Sequence, residues 1–97
     1  MYARIAAFEG GNAEEMQRRT EEAMSSGTMD TPEGMKSGLV LLDSEHGRRL
    51  FVSFFDSAEA IKAAEAQFEK MGDTFPEEIR GRRTSVDVYE VVWQGDV

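Results

Sequence analysis

Two hydrophobic runs separated by a short polar turn dominate the pattern of this sequence. The runs extend from Gly38 to Asp43 and from Arg48 to Asp56, and the turn between them contains Gly47. Leucine, β-branched and aromatic residues on both sides of a glycine-containing turn predict a β-hairpin. Successive strand residues point to opposite faces of a sheet, and both alternating sets here contain bulky apolar side chains. We therefore predict a sheet that is apolar on both faces and needs cover on both.

The segments on either side of the hairpin predict two helices that begin in a similar way. Asn12 can cap the first helix, and Asp56 or Ser57 can cap the second. Gly27 and Gly72 are expected to end them. Apolar residues recur at helical spacing in each segment and predict one buried stripe per helix. These stripes are Ala13, Met16, Thr20, Ala23 and Met24 in the first helix, and Ala58, Ile61, Ala64, Phe68 and Met71 in the second.

The remaining segments complete a recognisable order of elements. Strands are predicted from Tyr2 to Phe8 and from Ser85 to Trp93, a loop from Thr28 to Ser37, and a helical turn from Pro76 to Ile79. The order strand, helix, strand, strand, helix, strand is the split βαβ pattern of ferredoxin-like folds. We predict a single α+β domain over residues 1–97, with a four-stranded antiparallel sheet and two helices on one face.

The face of this sheet that carries no helix predicts a partner. A monomer with apolar side chains on both sheet faces would expose a patch larger than the few hundred Å² of a typical monomer's largest patch. Pairing with a second copy is the simplest way to bury such a surface, because two-fold dimers are the commonest assemblies. We therefore predict a homodimer formed through the helix-free sheet face.

Composition and charge narrow the classes of partner. The 97 residues include 19 acidic and 11 basic side chains, which gives a net charge of −8. Such an acidic balance argues against binding to nucleic acid or to anionic membrane surfaces. There is no cysteine, no run of about 20 apolar residues and no pattern typical of a secretory signal. We expect a soluble, cytoplasmic protein without a disulfide or thiolate metal site.

Four segments of the chain match a known family. They are Ala3–Gly10 in the first strand, Pro32–Asp43 entering the hairpin, Phe54–Ala60 at the second helix start, and the closing run Val88–Val92. On these segments the sequence resembles the antibiotic biosynthesis monooxygenase-like branch of the dimeric α/β-barrel superfamily. The resemblance implies that two sheets pack face to face into a barrel. It also implies that some members oxidise aromatic or quinol substrates without metal or flavin, whereas others degrade haem.

The residues on which haem degradation depends in that family are not matched here. Those members use an asparagine near the first strand, a tryptophan, and an iron-ligating histidine from the second helical region. In this chain the only asparagine is Asn12 at the predicted cap, the only tryptophan is Trp93 in the last predicted strand, and the only histidine is His46 in the hairpin turn. We therefore expect no haem degradation, no cofactor and no metal site.

Candidate ligand-binding residues follow from what cofactor-free oxygenation requires. That reaction needs a polar group to deprotonate a phenol or quinol and a water-poor cavity to hold the anion. Arg4 could stabilise a phenolate, although a lone strand arginine more often pairs with a carboxylate, and Asp87 or Glu90 is available. Tyrosine and tryptophan in strands are also common core or interface groups. The candidates are Tyr2, Arg4, Tyr89 and Trp93, and no catalytic set is identifiable.

Three functions are consistent with these observations. The first is a homodimeric small-molecule-binding module whose pocket lies between sheet and helices and takes a small apolar or aromatic ligand. The second is a cofactor-independent monooxygenase acting on an aromatic or quinol substrate. The third is a structural or regulatory dimer whose acidic surface binds another protein. The absence of any family catalytic residue in its expected place favours the first over the second.

Overall fold

The computed structural model describes residues 1–27 and 31–97. Within these ranges, four strands and two long helices follow one another in the predicted order, and a one-turn helix precedes the last strand. The elements are β1 (Tyr2–Glu9), α1 (Ala13–Ser26), β2 (Met35–Asp43), β3 (Arg48–Phe55), α2 (Ala58–Asp73), α3 (Glu77–Arg80) and β4 (Arg82–Glu90).

The strands form one antiparallel sheet in the order β2-β3-β1-β4. The hairpin partner β2 lies at one edge and the last strand β4 at the other, as the split βαβ arrangement requires. The ferredoxin-like α+β fold predicted from the element order is therefore confirmed.

Two strand boundaries differ from the prediction. β2 begins at Met35, so part of the predicted loop Thr28–Ser37 is strand, and residues 28–30 of that loop lie outside the described residues. β4 ends at Glu90 rather than Trp93, because Glu90 lies opposite Tyr2, the first residue of its neighbour β1. Beyond that point no strand remains for β4 to pair with, and Trp93 falls outside the sheet.

Helix starts were predicted closely, and one helix end was not. The Asn12 side chain accepts a hydrogen bond from the backbone N–H of Glu15 at 3.0 Å. Ser57, rather than Asp56, caps α2 by accepting from Ala60. Gly27 ends α1 in the left-handed conformation, as predicted. α2 continues past Gly72 to Asp73.

The two helices contribute unequally to the core. From the α2 stripe, Ile61, Ala64 and Phe68 are buried against the fully buried Phe55 of β3. The Phe68 ring meets Phe55 and Phe51 edge-on, at centroid distances of 6.0 and 6.3 Å. By contrast, α1 has no buried residue. Four of its five stripe residues are half-buried and Met24 is 59% exposed, so the stripe is partly covered but adds nothing to the buried core. Alanine and threonine supply most of that stripe, and they bury little apolar area.

Two glycines allow two loops to approach closely at one end of the sheet. Gly11 follows β1 and Gly81 precedes β4, and both have positive φ angles, +75° and +81°. A Cβ atom on Gly11 would lie 2.5 Å from the backbone nitrogen of Gly81. The neighbouring backbone is tied by a 2.9 Å hydrogen bond from Asn12 N–H to the Ile79 carbonyl. This close approach fixes the start of α1 against α3.

We expect Gly11→Ala to destabilise the protein more than Gly10→Ala. Both glycines have φ of +75°, but a Cβ on Gly10 would meet no atom within 4 Å. The strain of the left-handed conformation alone costs about 1 kcal/mol. The backbone collision at Gly11 should add about 2 kcal/mol of overpacking. Urea unfolding of the two variants measures the difference, and equal losses would show that the contact with Gly81 is easily relaxed.

Candidate ligand-binding site

The pairing registers assign every strand residue to one of two faces. Phe55 faces α2. Every second residue along β3 shares its face, and so do the residues directly opposite these on neighbouring strands. The opposite face carries no helix, and we call it the helix-free face. Its exposed large apolar residues are Leu39, Leu41 and Tyr89, and its half-buried ones are Ile5, Leu50 and Phe54.

A second apolar surface lies on the helix side, at the edge formed by β2 and β3. Val40 lies opposite Phe51 and Leu42 lies opposite Arg49 in the β2–β3 ladder. We call these four residues the helix-side β2–β3 surface. Leu42 is 53% exposed and Val40 38% exposed, although the α1 crossover from β1 to β2 passes over this side of the sheet. This part of the helix side is therefore less covered than the part beneath α2, where Ile61, Ala64 and Phe68 are buried.

The candidate Arg4 lies on the helix side and is already paired. Its side chain is 3% exposed, and its Nε and Nη2 donate to the two carboxylate oxygens of Glu65 at 2.8 and 3.1 Å. Its guanidinium also stacks 3.9 Å from the centre of the Phe68 ring. The partner is thus Glu65 of α2, and the strand-4 partners Asp87 and Glu90 expected from sequence are wrong. Asp87 lies on the other face, since it pairs with Ile5 in the ladder.

The candidate Tyr2 uses its hydroxyl in a contact between β1 and the edge strand β4. The phenol oxygen donates a hydrogen bond to Glu90 at 3.1 Å. This bond to the Glu90 carboxylate, together with its negative charge, raises the pKa of Tyr2 above the ordinary tyrosine value. Tyr2 is therefore a neutral donor at physiological pH.

The structure separates the other two candidates from this pair. Tyr89 lies on the helix-free face, because it is in register with Ala3. Trp93 follows the end of β4 and is 68% exposed. Of the four predicted site residues, only Tyr2 and Arg4 share a face. Their roles in ligand binding stay predictions.

Arg49 is a cationic group that sequence reasoning missed. It lies on the helix side of β3, half-buried, with its guanidinium 4.7 Å from the centre of the Phe8 ring. Its Nη2 donates to the Arg80 carbonyl at 3.3 Å. Removal from water lowers the pKa of Arg49 below the ordinary arginine value. In the sequence it is one of two adjacent arginines, and only the alternation of the strand distinguishes it from Arg48.

The described residues contain neither a cluster of potential metal ligands nor a membrane-spanning helix. Across residues 1–27 and 31–97, no group of three or more His, Cys, Asp or Glu side chains could hold a metal ion. The single histidine, His46, lies exposed in the hairpin turn, with Nδ1 2.8 Å from an oxygen of Asp43. No helix in the same part of the chain is long and apolar enough to cross a membrane.

Solved structures of similar fold cover nearly the whole chain. A point mutant of MhuD with two manganese protoporphyrin IX groups bound per active site is 18% identical, with a TM-score of 0.59 and full coverage of both chains. A proposed antibiotic biosynthesis monooxygenase from Deinococcus radiodurans is 16% identical, with a TM-score of 0.58 over 100% of this chain and 98% of that one. Another, from Chloroflexus aurantiacus J-10-fl, is 15% identical, with a TM-score of 0.59 over 98% and 96%.

These similarities establish the fold of the chain but not its activity. No protein-family model and no curated protein matches the chain. The fold is that of antibiotic biosynthesis monooxygenase-like proteins, which confirms at the level of fold the resemblance seen in the sequence. At identities of 15–18%, the activity of a structural neighbour does not carry over to this chain.

We expect Glu65→Ala to cost about 2 kcal/mol of stability, because it leaves the buried guanidinium of Arg4 without its carboxylate. Glu69→Ala is the matched control, since Glu69 is 58% exposed and pairs with the part-exposed Arg83 at 3.1 Å. Such a surface pair contributes about 0.5 kcal/mol or less. Urea unfolding compares the two variants. Equal losses would contradict a structural role for the Arg4–Glu65 pair.

Proposed function

We propose that the protein is a homodimeric small-molecule-binding protein that uses the two sides of its sheet for different purposes. The helix-free face binds the second copy, and the helix-side β2–β3 surface binds an apolar or aromatic ligand. One observation carries the proposal. The adjacent residues Leu41 and Leu42 are 50% and 53% exposed, and they point to opposite faces of the same strand.

The dimer accounts for the helix-free face. Apolar side chains on all four strands line it, and nothing else in the described residues covers Leu39, Leu41 or Tyr89. A self-complementary pairing of two such faces buries this surface in each copy at once.

The ligand accounts for the apolar residues that α1 leaves exposed on the helix side. The space between α2 and the sheet is filled by Phe68 with Phe51 and Phe55, so it has no room for a guest molecule. Next to it, α1 buries none of its residues and leaves Val40 and Leu42 exposed. A surface lined by aliphatic and aromatic groups suits an apolar ligand. The porphyrin groups bound by the MhuD mutant support the capacity of this fold for flat aromatic molecules.

Cofactor-independent monooxygenation has less support than binding alone. The reaction requires a polar group free to take a proton from the substrate. Arg4 is committed to Glu65, and the Tyr2 phenol is held neutral by Glu90. Ligand binding therefore has more support than oxygenation, because it requires no catalytic base and neither Arg4 nor Tyr2 is free to act as one.

The neutral fluorescent probe N-phenyl-1-naphthylamine tests this division. We expect Leu42→Asp to weaken its binding about tenfold, since a buried leucine contributes about 1.5–3 kcal/mol to apolar burial. Leu41→Asp should leave probe binding unchanged and instead shift the sedimentation of the protein from dimer towards monomer. Fluorescence titration and sedimentation velocity are read on both variants.

The two leucines form a matched pair, because they are neighbours on one edge strand with nearly equal exposure. A probe that does not bind, or whose binding falls equally in both variants, would contradict the ligand site. A change in sedimentation caused by Leu42→Asp instead of Leu41→Asp would contradict the assignment of the dimer face.

A further inference from the structure

We infer that Arg49 binds an anionic group of the ligand, so that the ligand class is an apolar or aromatic molecule bearing a carboxylate or similar anion. This inference rests on the proposed function, because it assigns the polar contact within the site proposed above. Arg49 belongs to the helix-side β2–β3 surface, in register with Leu42 on one side and Phe8 on the other.

The guanidinium of Arg49 is poorly neutralised by the protein. It has five N–H donors, of which one makes a 3.3 Å hydrogen bond to the Arg80 carbonyl. The face of Phe8 supplies a cation–π contact at 4.7 Å. Within the described ranges, no carboxylate lies within 4.0 Å of it, and Glu77 and Glu78 on nearby α3 form no ion pair with it.

Comparison with two other strand arginines shows that this state is unusual in the chain. Arg4 is more deeply buried and has a bidentate carboxylate, Glu65. Arg48 is exposed on the other face and pairs with Asp43 at 3.1 Å. Arg49 alone of the three combines partial burial with no described carboxylate, and an anion placed against it would recover the interaction that partial burial removes.

The surroundings of Arg49 select an anion attached to an apolar body. Phe8, Leu42 and Phe51 lie next to it along and across the strands. A small hydrated anion would gain nothing from these side chains, whereas an aromatic carboxylate could bury its ring on them and direct its charge to the guanidinium. The Arg80 carbonyl holds one end of the guanidinium and leaves the remaining donors available.

Two probes that differ only in an anion test the inference. The fluorescent dye 8-anilinonaphthalene-1-sulfonate has the ring system of N-phenyl-1-naphthylamine plus one sulfonate. We expect Arg49→Leu to weaken sulfonate binding about tenfold without weakening binding of the neutral probe, because leucine removes the charge and keeps the surface apolar. Arg48→Leu, at the adjacent position on the opposite face, should change neither. Circular dichroism confirms that each variant is folded.

A readout on the unmodified protein covers the case in which Arg49→Leu fails to fold. In ¹⁵N-labelled native protein, the Arg49 Nε–Hε resonance should shift on addition of the sulfonate dye and stay unmoved with the neutral probe. Arg49→Lys, which retains charge but not the guanidinium, assigns that resonance by its loss.

The outcomes separate the inference from the proposed function. If the neutral probe binds in a Leu42-dependent manner but the sulfonate ignores Arg49, the inference is wrong and the site stands. If neither probe depends on Leu42, the proposed site itself fails. Equal losses of sulfonate binding in Arg49→Leu and Arg48→Leu would show a nonspecific charge effect and would overturn the inference. A loss of sulfonate binding in Arg49→Leu alone supports it.

Discussion

A sheet with apolar side chains on both faces, but helices on only one, is the constraint on which the rest of this structure depends. α2 covers the central strands, where its Phe68 packs against Phe55 of β3 in the core. Neither the helix-free face nor the helix side of β2 receives equivalent cover, and Leu41 and Leu42 stay exposed on the two sides. Exposed apolar surface is unfavourable in water, and this is why we propose a second copy on one side of the sheet and a ligand on the other.

The partners of two partly or fully buried arginines, Arg4 and Arg49, distinguish a structural residue from a candidate functional one. Arg4 and Arg49 both lie on the helix side of central strands, and both contact an aromatic ring. Glu65 neutralises the first, so Arg4 belongs to the framework that holds α2 on the sheet. The second has no described carboxylate, so we propose it as the charge through which this surface distinguishes an anionic ligand from a neutral one. Burial without neutralisation, rather than residue type, marks the functional candidate.

Sequence reasoning succeeded where the determining interactions are local. The hairpin, the cap at Asn12 and the left-handed end at Gly27 follow from short-range hydrogen bonding and φ preferences, and all three are present. The element order then restricts the topology to a ferredoxin-like sheet. Homodimer formation was argued from the same pattern and stays a proposal.

Contacts between residues far apart in the chain could not be predicted from the sequence. Glu65 is 61 residues from Arg4, and nothing local favours it over a carboxylate on a neighbouring strand. The end of β4 depends on where β1 begins, which placed Trp93 outside the sheet. Arg49 could be found only because it is partly buried and pairs with no carboxylate among the described residues, which is a property of the assembled structure.

The most direct test of this account is to observe which side of the sheet touches a second copy. Isotope-filtered NOE spectra of a mixed sample, with ¹³C-labelled and unlabelled chains, detect contacts between subunits alone. The account predicts intermolecular NOEs to the side chains of Leu39, Leu41 and Tyr89 and none to Val40 or Leu42. Intermolecular NOEs to Val40 and Leu42, or the absence of any, would contradict it.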